Sequence, residues 1–161
     1  MAANHFRNYT KEDIMTKVKI INASDLLPLR AKVLRPGMKA EEAVFKGDDY
    51  ETTFHVGVVS DSGEIIGVSS FYLKSESAEK NPNEYKLRGM AVDPDLQTKG
   101  CGTMMLDFAL SILKEKNAKL LWCNARVSAS GFYVKKGFTT DFEEFHLEPA
   151  GAHYKMRLIL D

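Results

Sequence analysis

The feature that most constrains the fold is a change of hydrophobic period at a glycine-rich turn near the middle of the chain. Residues 85–92 (YKLRGMAV) are typical of a β-strand, which Asp93-Pro94 ends. After Gly100 and Gly102 the apolar residues recur at helical spacing, on one face of a predicted helix: Met105, Leu106, Ala109, Leu110, Ile112 and Leu113. A strand followed by an amphipathic helix indicates a sheet that is covered by helices.

The remaining patterns add strands and helices in a mixed order. They predict a first strand at 18–21, a helix ending before Pro36-Gly37, a loop or short helix over 38–52, a hairpin at 54–59 and 65–73, a strand at 120–124, a helix from Ser128 to Gly137, and strands around 138–147 and 153–160. This order favours an α/β or α+β fold with helices on both faces of the sheet. It excludes a helical bundle and a β-sandwich.

Length and composition limit the number of domains and the class of partner. The chain has 161 residues, 44% of them hydrophobic, which is enough for one domain, predicted over 17–161. The apolar residues of 1–16 are scattered, which predicts a flexible arm there. Twenty-two basic residues balance twenty-two acidic ones, so we expect neither nucleic acid nor a membrane as partner. The polar first residues predict a cytoplasmic protein. Cys101 and Cys123 lack metal-ligand spacing, and we expect no metal.

The glycine turn predicts an anion site at the start of a helix. A helix N-terminus carries unpaired N–H groups and partial positive charge, and Gly100 and Gly102 have no Cβ atoms to block a phosphate. A dinucleotide-binding fingerprint would need glycine where Met105 stands, and the Gly-Lys-Ser/Thr sequence of a P-loop is absent. What remains is the sequence Gln-x-x-Gly-x-Gly over 97–102.

Residues 97–102 (QTKGCG) resemble the acyl-CoA signature of the GNAT superfamily of N-acyltransferases, Arg/Gln-x-x-Gly-x-Gly/Ala. The preceding 87–94 (LRGMAVDP) is similar to the strand and turn that lead into that signature. Residues 129–138 (ASGFYVKKGF) are similar to a second family motif, Ala-x-x-x-Tyr-x-Lys-x-Gly-Phe. The resemblance is specific over 85–138 and compatible over about 18–160. It implies a mixed, mostly antiparallel sheet of about six to seven strands with helices on both faces.

The resemblance also implies an enzyme that moves an acetyl group from acetyl-CoA to a primary amine of a small molecule or peptide, in a ternary complex without a metal. It implies that backbone groups bind pantetheine at Met90, Ala91 and Val92. It places the pyrophosphate on loop amides of Gln97, Thr98, Lys99, Gly100, Cys101, Gly102 and Thr103. Asn124 would contact pantetheine, and Tyr133 would donate a proton to the leaving thiolate.

One position departs from the family pattern. Many members carry a glutamate about where this chain has Arg88, and an arginine cannot act as a base. Strand alternation would place Glu84, Arg88 and Met90 on one face. The base is then Glu84, His55, one of Asp141 and Glu143, or a chain of water molecules. A non-catalytic acyl-CoA sensor with the same fold is the main alternative function, and an ATP-binding protein is a remote one.

Several residues also have plain structural interpretations. Tyr133 could be a core residue of its helix, Asn124 could end its strand in a turn, and Cys101 could be a tolerated small residue rather than a reactive thiol. The last strands could pair two copies of the chain as a homodimer.

Overall fold

The computed structural model describes residues 17–77, 83–96 and 100–160, which form seven strands and three α-helices. The strands are β1 Lys17–Ile21, β2 Phe54–Val59, β3 Ile65–Leu73, β4 Glu84–Val92, β5 Leu120–Arg126, β6 Phe145–Leu147 and β7 Gly151–Ile159. The helices are α1 Ala23–Leu34, α2 Cys101–Glu115 and α3 Ser130–Lys135.

The strands lie in the order β1-β2-β3-β4-β5-β7-β6. β1 pairs with β2, and β7 pairs with both β5 and β6, in antiparallel orientation, whereas β4 and β5 run parallel. The predicted fold class is confirmed: a mostly antiparallel sheet of seven strands with three helices. In the described part of the chain, no helix combines the length and the apolar character needed to cross a membrane.

Two local predictions near the C-terminus differ from the structure. The strand expected around 138–147 is reduced to β6, because side chains before it form turns with the backbone: Thr140 Oγ1 accepts the N–H of Phe142 at 3.2 Å. Phe142 itself has φ = 59°, which a strand does not tolerate. Ser128, predicted as a helix cap, lies instead in a 3-10 turn, and α3 begins at Ser130.

The chain divides into two compact units. Among the described residues, the first takes 17–46, 55–69, 89–96 and 100–109. In it, Leu26 and Leu29 of α1 form an apolar cluster with Val68 of β3. The next residue, Ser69, donates a hydrogen bond to the sulfur of Met105 in α2 at 3.7 Å. Because neighbouring residues on a strand point to opposite faces, α1 and α2 cover opposite faces of β3, as predicted.

Among the described residues, the second unit takes 47–54, 70–77, 83–88 and 110–160. Here β5 pairs with β7 along its whole length, from Leu120 to Arg126. Its parallel ladder with β4 is short and joins Glu84–Lys86 to Leu120–Trp122. Within this described unit, the edge of β5 that faces away from β7 therefore continues beyond Trp122 without a strand partner.

Candidate active site

The predicted site residues divide between the two units. Those predicted to bind the cofactor through the backbone belong to the first unit: Met90, Ala91, Val92, Gly100, Cys101, Gly102 and Thr103. The two predicted to act through side chains, Asn124 and Tyr133, belong to the second unit. Three more lie outside the described residues: Gln97, Thr98 and Lys99.

At the end of β4, the side chain of Ala91 is used for packing. It is 2% exposed and lies in the apolar cluster with Leu26 and Leu29 of α1. Ala91 therefore has only its backbone to offer a ligand, which is the role that the resemblance implies for this segment.

Gly89 changes the geometry of β4 just before that segment. Its φ is 71°, and a Cβ atom there would lie 3.1 Å from the Phe45 ring and 3.4 Å from Nε of Arg30. Glycine is required both by this left-handed conformation and by the close approach. Because such a residue interrupts the regular strand, the common face predicted for Arg88 and Met90 is not continuous through Gly89.

At the start of α2, backbone donors are available to an anion. Gly100 has φ = 82°, and among the described residues nothing lies within 4 Å of the position that a Cβ would take. The first helical hydrogen bond runs from the N–H of Met104 to the carbonyl of Gly100 at 3.0 Å. The N–H groups of Cys101, Gly102 and Thr103 precede that ladder, where the helix dipole favours negative charge.

The two cysteines are held as neutral thiols. Cys101 is 2% exposed, and burial raises its pKa despite its place at a helix start. Burial also raises the pKa of Cys123 to about 12, with the charge of Lys86 opposing the shift. Because the thiolate is the nucleophilic form, neither cysteine is suited to carry an acyl group at neutral pH.

Asn124 carries a buried polar atom that the fold does not satisfy. Its Oδ1 is buried, and no described residue donates a hydrogen bond to it. The residue lies on β5 just past Trp122, where the ladder with β4 ends, and β5 continues to Arg126. The interpretation of Asn124 as a turn residue at a strand end is therefore wrong. An unsatisfied buried acceptor costs roughly 1–3 kcal/mol, which a ligand N–H would recover.

Tyr133 is held in place by the cap of α3. Its carbonyl accepts the N–H of Phe138 at 3.0 Å, while the N–H of Gly137 binds Val134, and Gly137 has φ = 93°. The rings of Tyr133 and Phe138 meet edge to face at 5.3 Å. This is the Schellman arrangement with its hydrophobic contact. The spacing Tyr-x-x-x-Gly-Phe therefore encodes a helix end that fixes the tyrosine.

Burial also determines the protonation of Tyr133. The side chain is 8% exposed, and burial, reinforced by the neighbouring Cys123, raises its pKa well above the usual value. The hydroxyl therefore stays protonated at neutral pH. Tyr133 can donate a proton or a hydrogen bond, but it cannot act as a base.

The carboxylates named as candidate bases already accept hydrogen bonds from nearby backbone N–H groups. Glu84 is 8% exposed, and its Oε2 accepts the N–H of Glu76 at 3.1 Å. Asp141 Oδ1 accepts the N–H of Glu143 at 3.1 Å, and both residues are exposed. These carboxylates hold the backbone in turns and need no other role to explain their positions.

The sequence analysis missed a group of cations around the indole of Trp122. The Nζ atoms of Lys86 and Lys155 lie 4.8 Å and 5.4 Å from the centre of that ring. The two lysines come from β4 and β7, which pair with opposite edges of β5. The sequence gives one sign of this group of cations, namely that Lys86 and Arg88 are two residues apart on a predicted strand. That spacing does not indicate which strands pair with β5.

Comparisons with known proteins identify the family. Residues 25–138 match the Acetyltransferase (GNAT) family. The chain is 33% identical over 142 residues to YitI, an uncharacterized N-acetyltransferase of Bacillus subtilis (strain 168), covering 88% of this chain and 95% of that protein. The protein is thus an acetyltransferase and belongs to the GNAT family.

Solved structures support the fold. The ribosomal-protein-S18-alanine N-acetyltransferase of Escherichia coli superposes with a TM-score of 0.72 at 18% identity, covering 91% of this chain and 95% of that one. Ard1 of Thermoplasma volcanium gives a TM-score of 0.71 at 17% identity, covering 91% and 98%. At these identities the likeness extends to the fold alone.

Proposed function

We propose that this enzyme transfers an acetyl group from acetyl-CoA to a primary amine of a small molecule or peptide, by direct attack in a complex that holds both substrates. GNAT enzymes generally use acetyl-CoA. The observation that carries the proposal is the buried, unsatisfied Oδ1 of Asn124 beside the end of the β4–β5 ladder. An amide N–H of the pantetheine arm is the kind of donor that this oxygen lacks.

The backbone supplies the other proposed contacts. The main chain of Met90, Ala91 and Val92 binds pantetheine as an added strand would. The N–H groups of Gly100–Thr103, together with those of Gln97–Lys99, hold the pyrophosphate at the positive end of α2. Such a site needs no net positive charge on the protein, because oriented N–H groups supply the field.

The cofactor supplies the acyl group as a thioester, whose carbonyl an uncharged amine attacks. A backbone N–H near Met90 donates to the oxygen as negative charge develops on it. Tyr133 donates its O–H toward the departing sulfur, a role that suits a hydroxyl kept neutral by burial. A lysine-like amine has a pKa near about 10.4 and must first lose a proton. In this proposal a chain of water molecules carries that proton away, since Arg88 cannot accept it and this route requires no particular side chain as base.

The test is thiol release from acetyl-CoA across a panel of amines: amino acids, polyamines, amino sugars and peptides with free N-termini. We expect acceptor-dependent release of CoA with at least one class, and an acetylated product of matching mass. CoA should raise the melting temperature more than ATP does. Tight CoA binding without turnover of any amine would instead favour the non-catalytic sensor, and preferential stabilisation by ATP would contradict both functions.

A further inference from the structure

The second unit presents a group of positive charges on one face of its sheet. Register pairing puts Lys86 beside Trp122, and Asn124 beside Lys155. Because residues opposite each other and residues two apart along a strand share a face, these four side chains lie on the same side of the sheet. The indole N–H of Trp122 donates to the carbonyl of Lys74 at 2.8 Å. We call Lys86, Lys155 and Trp122 the Trp122 face.

The ammonium groups of Lys86 and Lys155 have no carboxylate partner in the part of the chain that the structure describes. The nearby acids are engaged elsewhere: Glu76 forms an ion pair with Arg157, and Glu84 accepts the N–H of Glu76. Two ammonium groups on one indole, without an acid beside them, are a costly arrangement for folding alone.

The pKa of Lys86 reflects the same imbalance. Burial, followed by repulsion from Lys74, Arg88 and Lys155, lowers its pKa to about 8. Among the described residues, Cys123 on the adjacent strand opposes this shift, and its thiol stays neutral at this pH. At neutral pH the ammonium is still largely protonated, so an anion placed here would remove the repulsion and gain charge-assisted hydrogen bonds.

We propose that the Trp122 face binds the carboxylate or phosphate of the acceptor, so that the substrate is an amine that also carries an acid group. This inference rests on the proposed function, since it names the substrate class of the same reaction. Asn124, the residue assigned to the pantetheine arm, is the cross-strand neighbour of Lys155. An acid group held at the Trp122 face would therefore lie close to the residue that positions the thioester.

Two other sources could bring an anion to these lysines. One is a phosphate of the cofactor, and the other is the free carboxylate of a dicarboxylic acyl group. Titrations in the presence of saturating CoA control for the first source, because the cofactor's own phosphates are then already bound. A comparison of succinyl-CoA with acetyl-CoA, using a neutral amine as acceptor, tests the second. The proposal expects no preference for succinyl-CoA.

Binding can be measured without turnover, because Trp122 is the only tryptophan in the chain. With CoA saturating, L-alanine and O-phosphoethanolamine should change the emission of Trp122 in a saturable way. L-Alaninamide and ethanolamine, which keep the amine but lack the acid, should not do so at tenfold higher concentration. Equal responses from acid and neutral partners would overturn the proposal, as would a response that saturating CoA abolishes.

Matched variants distinguish the effect of losing the Lys86 charge on acceptor binding from an effect on folding. In Lys86→Met the KM for acid-bearing acceptors should rise about tenfold or more, the loss expected for one charge-assisted hydrogen bond. Lys86→Arg should retain most of the affinity, and Lys114→Met, an exposed lysine in the last turn of α2, should retain all of it. Lys114→Met should also leave activity with L-alaninamide unchanged, whereas Lys86→Met should lower the preference for L-alanine over L-alaninamide, measured as the ratio of their kcat/KM values, about tenfold. Affinity for the acids should also fall as the pH rises through about 8, where Lys86 loses its proton.

The outcomes distinguish this inference from the proposed function. If no amine is acetylated, the proposed function fails, and with it the inference that the bound anion belongs to an acceptor. If amines are acetylated but the acid gives no advantage, or Lys86→Met changes nothing, the acceptor inference alone fails. Should Lys86→Met unfold, Lys155→Met carries the same expectation, and its folding is checked by the melting temperature.

Discussion

The residues proposed to contact the cofactor differ in kind between the two units. In the first, the contacts come from the backbone at the start of α2 and at the end of β4, where the Ala91 side chain serves packing instead. In the second, they come from the side chains of Asn124 and Tyr133, which β5 and the α3 cap place. Substitutions in the first unit should therefore act through conformation, and those in the second through chemistry.

The largest effect expected in the second unit belongs to Tyr133→Phe. The ring still packs on Phe138, so the melting temperature and the affinity for CoA should not change. Loss of the proton donor should lower kcat by about 100-fold. Steady-state kinetics combined with calorimetric titration of CoA checks this. An unchanged kcat would reduce Tyr133 to its role in the helix cap.

Two asparagines of the second unit, Asn124 and Asn117, provide a matched pair of alanine substitutions. Asn124→Ala should weaken CoA binding about tenfold without loss of stability, because the removed oxygen has no partner among the described residues. Asn117, with φ = 56° after α2, is a capping residue. Asn117→Ala should cost about 1 kcal/mol of folding free energy and leave CoA affinity unchanged. If Asn124→Ala destabilises the protein as Asn117→Ala does, its role is structural.

Two glycines of the first unit, Gly100 and Gly63, provide the corresponding pair of alanine substitutions. Gly100 and Gly63 have φ values of 82° and 84°, and at neither would a Cβ meet a described atom within 4 Å. Alanine at either position should therefore cost about 1 kcal/mol in stability. Only Gly100→Ala should also weaken CoA binding, about fivefold, because it shifts the N–H groups at the start of α2. Equal CoA affinity in the two variants would contradict an anion site at the start of α2.

The smallest expected effect concerns stability, and it has a definite pH dependence. Lys86 has a pKa of about 8 in the folded chain and about 10.5 when unfolded, so its buried charge destabilises the fold below pH 8. The cost is relieved as the pH rises from 8 to 10.5, because the folded state loses its proton first. Lys86→Met should add about 1 kcal/mol of stability at pH 7, or about 2–4 °C in melting temperature, and less at pH 10. A loss of stability at pH 7 would contradict the unfavourable charge of the Trp122 face.

The same contrast explains which features the sequence could predict. The helical period from Met105 to Leu113 is local, and the fully buried Met105, Leu106, Ala109 and Leu113 confirm it. The glycine turn is local as well, and Gly100 has the left-handed conformation that favours glycine. Backbone sites built from one strand, one turn and one helix leave their signature in a single stretch of chain.

The side-chain sites depend on pairings between distant segments. The three-residue ladder of β4 with β5, which leaves Asn124 past its end, follows from register rather than from motif. The convergence of Lys86 and Lys155 on Trp122 needs β4 and β7 on the two edges of β5. The turn at Phe142, which shortens β6, depends on local side-chain hydrogen bonds that compete with the strand.

The central claim is that the amine takes the acetyl group directly, and one measurement tests it. Both cysteines, Cys101 and Cys123, are buried with raised pKa values, so the chain offers no thiol to carry the group. The intact mass of the protein is measured after incubation with acetyl-CoA alone and again after an accepted amine is added. We expect no gain in protein mass in the first step and an acetylated amine in the second. A protein heavier by one acetyl group, which then passes to the amine, would contradict direct transfer.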